Sequence, residues 1–239
     1  MSTDKELALD IRDLHAWYGE SHVLHGVDLQ ARRGEIVTLL GRNGAGRSTT
    51  MRSIMGLTGA RKGSIKVGGV ETIGMSTYHI AHKGVGYCPE ERAIFSSLSC
   101  EENLLLPPAL RNGSTPMTTE ELYELFPNLR ERRNSPGTKL SGGEQQMLAV
   151  ARILRTGANL LLLDEISEGL APVIVRALAD MILMLKKKGY TVVMVEQNFR
   201  FAAPLADRFY LMEHGRIVEH FTTDQLQEKM PVLNELLGV

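Results

Sequence analysis

The passage Ile36-Val37-Thr38-Leu39-Leu40, followed at once by Gly41-Arg42-Asn43-Gly44-Ala45-Gly46-Arg47-Ser48, constrains this chain more than any other. A β-branched and leucine run of this kind reads as a strand buried on both faces, as in a parallel sheet covered on both sides. A helical pattern that includes Met51, Ile54 and Met55 begins near Ser48. Strand, glycine loop and helix together are the setting of the phosphate loop G-x-x-x-x-G-K-[ST]. Its glycines let successive N–H groups turn inward, and the helix N-terminus adds unsatisfied donors and a favourable dipole. Gly41 to Ser48, with Thr49 beyond, are therefore the candidate phosphate-binding residues, and the Ser48 hydroxyl is a candidate Mg²⁺ ligand. Arg47 departs from the pattern. It stands where lysine is expected, and a planar guanidinium does not replace a compact ammonium neutrally. Taken alone, the segment also fits a glycine turn that merely caps a helix.

Strand-like and helical stretches alternate along the rest of the chain. Strands are expected over 7–17, near 27–30, and over 63–70, 160–163, 191–195, 209–212 and 217–220, the last two joined by a turn at Gly215. Helices are expected over 119–126, 144–154 and 172–188; the first follows a threonine cap, and the last opens on Pro172 and ends in lysines before Gly189. Between about 89 and 139 the texture changes, with a double proline at Pro107 and Pro108 and a polar link over 111–118. That region reads as a mostly helical insertion in a larger α/β core. The 27 Lys and Arg against 28 Asp and Glu leave a net charge of −1, which argues against a protein held on nucleic acid by bulk charge. No apolar run is long enough to span a membrane, and the chain starts with acids where a signal peptide needs a basic then apolar run. Cys88 and Cys100 form no metal or disulfide pattern and are expected to be reduced thiols.

Leu160-Leu161-Leu162-Leu163-Asp164-Glu165 is an apolar strand that delivers two acids to its C-terminal end, the edge at which open parallel sheets bind ligands. Asp164 is a candidate Mg²⁺ ligand and Glu165 a candidate to polarise an attacking water. Upstream, Leu140-Ser141-Gly142-Gly143-Glu144-Gln145-Gln146 opens a helix and forms a second possible anion site: one hydroxyl, two glycine N–H groups and a helix terminus. With the two earlier motifs, this segment resembles the signature of the ATP-binding-cassette (ABC) ATPases, and the resemblance runs from Leu7 to Val239.

The resemblance implies an α/β phosphate-loop cassette: a parallel-sheet core with an antiparallel β subdomain, about 1–88 and 156–239, and a helical subdomain, about 89–155. It implies ATP and Mg²⁺ as cofactors, with Tyr18 stacking on adenine, Ser48, Glu90 and Asp164 about the metal, and Glu165 and Gln197 in catalysis. In the family two cassettes pack head to tail, so Ser141, Gly142, Gly143 and Glu144 are expected to touch the other chain's nucleotide. Glu90 stands where most cassettes carry glutamine, Gln197 where most carry histidine, and Ala171 where aspartate is common. Glu90, Val195-Glu196-Gln197-Asn198, Gly169-Leu170-Ala171-Pro172 and the extended signature together resemble one branch, the ATPases of branched-chain amino acid importers. ELFPNLRERR and EENLLL strengthen that match, whereas Ile166 and Arg47 depart from it.

The partners implied are a second ATPase copy or a paralogue, two transmembrane permease subunits and an extracytoplasmic solute-binding protein, with no nucleic acid. The implied location is the inner face of the cell membrane, with permease docking in the groove near Glu90 to Phe95. Three alternatives stay open: an ATPase serving urea, short amides or another small solute, a lipopolysaccharide-export ATPase, in which residue 197 is expected to be histidine, and a soluble ATP-binding switch with little hydrolysis. A DNA-repair cassette would need a long coiled-coil insertion between Ser48 and Ser141, and a translation cassette would carry two cassettes in one chain. If the signature serves the opposite nucleotide, Ser141→Arg abolishes turnover and leaves ATP binding by the separated monomer nearly intact. An equal loss of monomer binding would place the motif in the chain's own pocket.

Overall fold

The structure, a computed structural model, describes residues 6–110 and 115–238. The start of the chain and positions 111–114 of the expected polar link lie outside the described residues. β3 (Ile36–Gly41) is buried at every position. Strand alternation divides its side chains: Ile36 and Leu40 enter one core, Val37 and Leu39 the other. This explains why the segment reads as a continuous apolar run. β3 lies within a six-stranded sheet with β6 (Val85–Cys88), β7 (Leu160–Asp164), β8 (Thr191–Glu196), β9 (Arg208–Glu213) and β10 (Arg216–Thr222), in the order β10-β9-β3-β8-β7-β6. All neighbouring strands pair in parallel except β9 and β10, the hairpin turned at Gly215.

One face of this sheet packs under helices α6 (Gly142–Thr156), α7 (Pro172–Lys187) and α9 (Leu226–Leu237), through Leu148, Leu178, Ile182 and Leu233. The other face is covered by α1 (Arg47–Ile54), α2 (Thr77–Ala81) and a four-stranded antiparallel sheet, order β2-β1-β4-β5. Its strands are β1 (Leu7–Tyr18), β2 (Ser21–Arg32), β4 (Ala60–Val67) and β5 (Val70–Glu71). Short helices α3 (Cys100–Leu105), α4 (Thr119–Leu125) and α5 (Pro127–Glu131) fill the stretch before α6, and α8 (Phe199–Ala202) follows β8. Cys88 and Cys100 are buried and unbridged. Among the described residues no helix is long and apolar enough to cross a membrane.

Several boundaries differ from those expected, each for a local reason. β2 runs from Ser21 rather than from near residue 27, because long pairing with β1 carries its polar start into the sheet. The strand expected over 63–70 begins at Ala60 and breaks at Gly68 and Gly69, which turn it back into β5. α6 starts at Gly142, two residues early, because Ser141 caps it reciprocally. The Glu144 N–H donates to Ser141 Oγ, and the Ser141 N–H donates to the Glu144 carboxylate at 2.7 Å.

Candidate active site

Parallel pairing fixes which residues share the sheet's C-terminal edge. Leu40 lies opposite Glu196 across β3 and β8, and Val195 lies opposite Asp164 across β8 and β7. The glycine loop leaves β3 at this edge. Gly41 cannot carry a side chain there, since a Cβ would sit 2.5 Å from the Met212 carbonyl oxygen. Gly46, at φ +108°, turns the chain into α1 and leaves that helix without a side-chain cap. A cleft of about 360 Å³ opens over the helix terminus, lined by Asn43 to Thr49, Val23, Glu90, Glu165 and Glu168.

Arg47 is the cation of this cleft. Its Nη2 lies 2.7 Å from Glu165 Oε1 and donates to Asn43 Oδ1 at 3.1 Å; the side chains of Arg47 and Glu165 are only 3% and 10% exposed. Its Nη1 is buried and has no partner among the described residues. Glu165 follows β7 with a left-handed backbone, φ +49°, a strained conformation of the kind that gathers at functional positions. Burial and a proton shared with Glu168 push its carboxyl up to about 7, against the pull of Arg47. One oxygen each from Glu90, Glu165 and Glu168 falls within 4.8 Å of the others.

Asp164 is buried below this group. Ser48 Oγ donates to its Oδ1 and the Tyr87 hydroxyl to its Oδ2, each at 3.0 Å. Burial raises the Asp164 carboxyl, and those two hydrogen bonds oppose the rise. The expected metal set thus falls into two parts: Ser48 bonds Asp164 directly, whereas Glu90 groups with Glu165 and Glu168. Tyr18 does not line the cleft; it is 40% exposed and its hydroxyl lies against Arg52, which also meets Tyr87. Arg42 turns away from the cleft as well, its Nε donating to the Leu236 carbonyl at 2.8 Å at the end of α9. Gln197 is exposed just beyond β8 and outside the cleft lining.

The signature lies apart from the cleft in the single chain, at the start of α6. Gly143 packs so closely on Ile174 of α7 that a Cβ would meet its side chain at 2.9 Å. Ala171 occupies the cap position of α7 without a capping side chain, and Ile166 is buried in the core. Sequence reasoning missed Glu196 and Ser167. Ser167 Oγ donates to Glu196 Oε2 at 2.8 Å, and Glu196 Oε1 is buried with no partner among the described residues. Glu196 ends a buried strand in an acid, the same signal that identified Asp164.

Residues 24–168 match the protein family described as ABC transporter. Over 231 residues the chain is 41% identical to the high-affinity branched-chain amino acid transport ATP-binding protein BraG of Pseudomonas aeruginosa, covering 96% of this chain and 99% of that one. It is 32% identical over 234 residues to the lipopolysaccharide export system ATP-binding protein LptB of Haemophilus influenzae, with coverage of 96% and 97%. A solved ATP-binding subunit of an ABC transporter superposes with a TM-score of 0.80 at 28% identity, covering 96% of this chain and 97% of that structure.

Glu196 gives the stability of the fold a pH signature. Burial, the largest cause, pushes its carboxyl from 4.5 to about 8; the hydrogen bonds from Ser167 oppose this and the nearby Glu165 charge adds to it. Between those values the folded chain binds the proton that the unfolded chain has released, so stability falls as pH rises from about 4.5 and levels off above about 8. The slope contributed by one such group is on the order of 1 kcal/mol per pH unit. Glu196→Gln keeps an oxygen to accept from Ser167 and should flatten the slope, leaving the variant more stable than wild type at pH 8. Urea unfolding of both proteins across pH 5–8 checks this, and parallel pH curves would remove Glu196 as the source.

Proposed function

Since the chain belongs to the ABC transporter family of ATP-binding proteins, we propose that it hydrolyses ATP to power the import of branched-chain or other small amino acids through a membrane permease. The carrying observation is the buried Arg47 Nη1, without a partner among the described residues, beside the uncapped N-terminus of α1: a guanidinium donor beyond the one that meets Glu165, and backbone donors, turned to one cleft. The 41% identity to the branched-chain protein over almost the whole chain supports the choice of solute. Gln197, where an export ATPase is expected to carry histidine, argues for the same branch.

In this reading the N–H groups of Gly44 and of Gly46 to Thr49, with the Arg47 guanidinium, receive the phosphates, and Tyr18 packs on adenine. Ser48 and Asp164, with Glu90 at the rim, are oxygen donors of the kind Mg²⁺ takes, and the ion would supply neutralisation of phosphate charge. Glu165 orients the attacking water and accepts its proton, and Gln197 follows it from the end of β8. Arg47 has to exchange its bond to Glu165 for phosphate before that carboxylate is free to act. Ser141 to Glu144 meet the nucleotide of a second ATPase copy or a paralogue. Residues 89–110 and 115–155 form the helical arm beside the core. The groove between them, lined by Leu57, Val85, Pro107 and Ile153 and bordered by exposed Phe95, Leu105 and Leu106, is the surface for the permease subunits. A solute-binding protein outside the membrane would select the cargo.

Deleting the gene should abolish uptake of radiolabelled leucine or isoleucine, and the wild-type gene should restore it. Unchanged uptake of both, with loss of urea or amide uptake, would move the protein to another solute. Glu165→Gln should fail to restore uptake, slow hydrolysis by at least about 100-fold and accumulate as an ATP-bound dimer, because the carboxylate acts mainly in the transition state. A monomer with normal turnover would take Glu165 out of the base role.

Arg47 supplies a separate test. Arg47→Lys keeps the charge but gives up the planar guanidinium, whose Nη2 reaches both Glu165 and Asn43, and should raise turnover several-fold with little change in ATP affinity. Arg47→Ala should lose both, leaving phosphate charge and Glu165 without a cation. Phosphate release and nucleotide affinity, measured on all three proteins in one buffer, decide the matter: a lysine variant equal to or slower than wild type shows that the loop is fitted to arginine.

A further inference from the structure

On the face of the β1–β2 hairpin turned away from the buried Leu14, Ala16 and Leu24, three imidazoles meet the chain's one tryptophan. His15 pairs with His25 across the strands and Trp17 with His22. The His22 ring stacks on Trp17 with ring centres 4.3 Å apart and planes 8° from parallel, and His25 packs edge-on against His22 at 4.1 Å. His15 Nδ1 lies 3.0 Å from His22 Nε2, while the other nitrogen of His15, Nε2, lies 3.1 Å from Asp13 Oδ1. Asp13 can only accept, so Nε2 of a neutral His15 carries the proton and Nδ1 presents its lone pair toward His22.

That arrangement has the dimensions of a metal site. Two imidazole nitrogens bound to one ion at about 2.0–2.1 Å, with about 90–110° between them, stand roughly 2.9–3.4 Å apart. A carboxylate behind the liganding ring is the usual device for fixing its tautomer and direction. The backbone is shaped to the same end. Asp13 adopts φ +47° within a register break of β1 that re-aims His15. Gly26 leaves room for the Asp13–His15 contact, since a Cβ there would approach Asp13 Oδ1 to 3.0 Å, and at Gly63 a Cβ would meet the Asp13 carbonyl at 2.3 Å.

We propose that His15 Nδ1 and His22 Nε2 form a site for a divalent transition-metal ion of the imidazole-preferring class, zinc, copper or nickel, with Asp13 orienting His15. Water completes the coordination. The proton that His22 Nε2 gives up on binding moves to its Nδ1, so both ligands stay neutral. His25, edge-on to His22, borders the pair, with Arg216 nearby. Arg216 and Lys62, the latter 5.7 Å from the Trp17 ring centre, oppose an incoming cation; Asp13, whose N–H is bonded by Asp28, offsets them.

Trp17 makes the site readable. In the untagged, nucleotide-free chain, Cu²⁺ or Ni²⁺ should quench tryptophan emission saturably with one ion per chain, and Zn²⁺ should bind in calorimetry with the same stoichiometry. His15→Ala and His22→Ala should each weaken binding at least 10-fold. Asp13→Asn retains both ligands and should weaken it about 10-fold through lost orientation. His79→Ala with His82→Ala, removing the imidazoles of α2 and its C-cap, should change nothing, and near-UV circular dichroism shows whether each variant folds. Absence of saturable binding by the folded wild type, or undiminished binding in folded His15→Ala and His22→Ala, overturns the site. Wild-type affinity in Asp13→Asn overturns the orienting role.

Discussion

Parallel pairing of β3, β8 and β7 is the constraint on which the cleft depends. Because Leu40 faces Glu196 and Val195 faces Asp164, one sheet edge collects a glycine loop and three acids from stretches of chain far apart in sequence. Each acid is costly to hold there, and each is offset by a donor from another element. Ser48 of α1 and Tyr87 of β6 bond Asp164, Ser167 bonds Glu196, and Arg47 of α1 meets Glu165. A one-residue slip of β7 would turn Asp164 to the other face and break both of its hydrogen bonds, so register and chemistry are a single constraint.

The Arg47–Glu165 pair shows how incompletely that offset is met. Removing two ions from water costs several kcal/mol each, and attraction repays it only where the remaining donors and acceptors are also satisfied. Here Arg47 Nη1 has no partner among the described residues, Glu165 keeps a left-handed backbone, and Glu168 lies beside it. Burial and the neighbouring carboxylates outweigh one guanidinium, so the Glu165 carboxyl stays above its ordinary range despite a 2.7 Å contact. An anion in the cleft would satisfy Nη1 and take up part of the charge now spent on Glu165. The pair is therefore weak evidence for stability, and under the proposed function Nη1 is the donor that would meet phosphate.

Where local pattern and tertiary role coincide, the sequence was legible. β3 announces itself because both of its faces are buried, and α7 because proline opens it and lysines close it. β2 starts earlier than its apolar pattern suggests because its exposed polar start, Ser21 and His22, owes its order to pairing with β1. The same division runs through the site. The glycine loop, Asp164 and Glu165 lie in contiguous motifs and meet in one cleft. Glu196 ends its buried strand in an acid as Asp164 does, but its place beside the glycine loop is set by pairing with Leu40 of β3, which no local window contains. The side-chain direction of Arg42, toward the α9 carbonyls, was likewise set by a helix at the far end of the chain.

The two helix N-termini rich in glycine differ in a way that bears on which one holds an anion in a single chain. α1 has no side-chain cap, so its first N–H groups face the cleft unclaimed. α6 is closed by its own box: the N–H of Glu144 is taken by Ser141 Oγ, and the Glu144 carboxylate brings negative charge to the terminus. What α6 retains is narrower. Ser141 acts in the cap as an acceptor, which leaves its hydroxyl proton free to donate, and the N–H groups of Gly142 and Gly143 carry no partner from the cap. Such a terminus suits a phosphate already bound and neutralised elsewhere rather than one captured from solution. That difference in capping supports the proposed division of labour, in which α1 holds the nucleotide and α6 completes the site of a second copy.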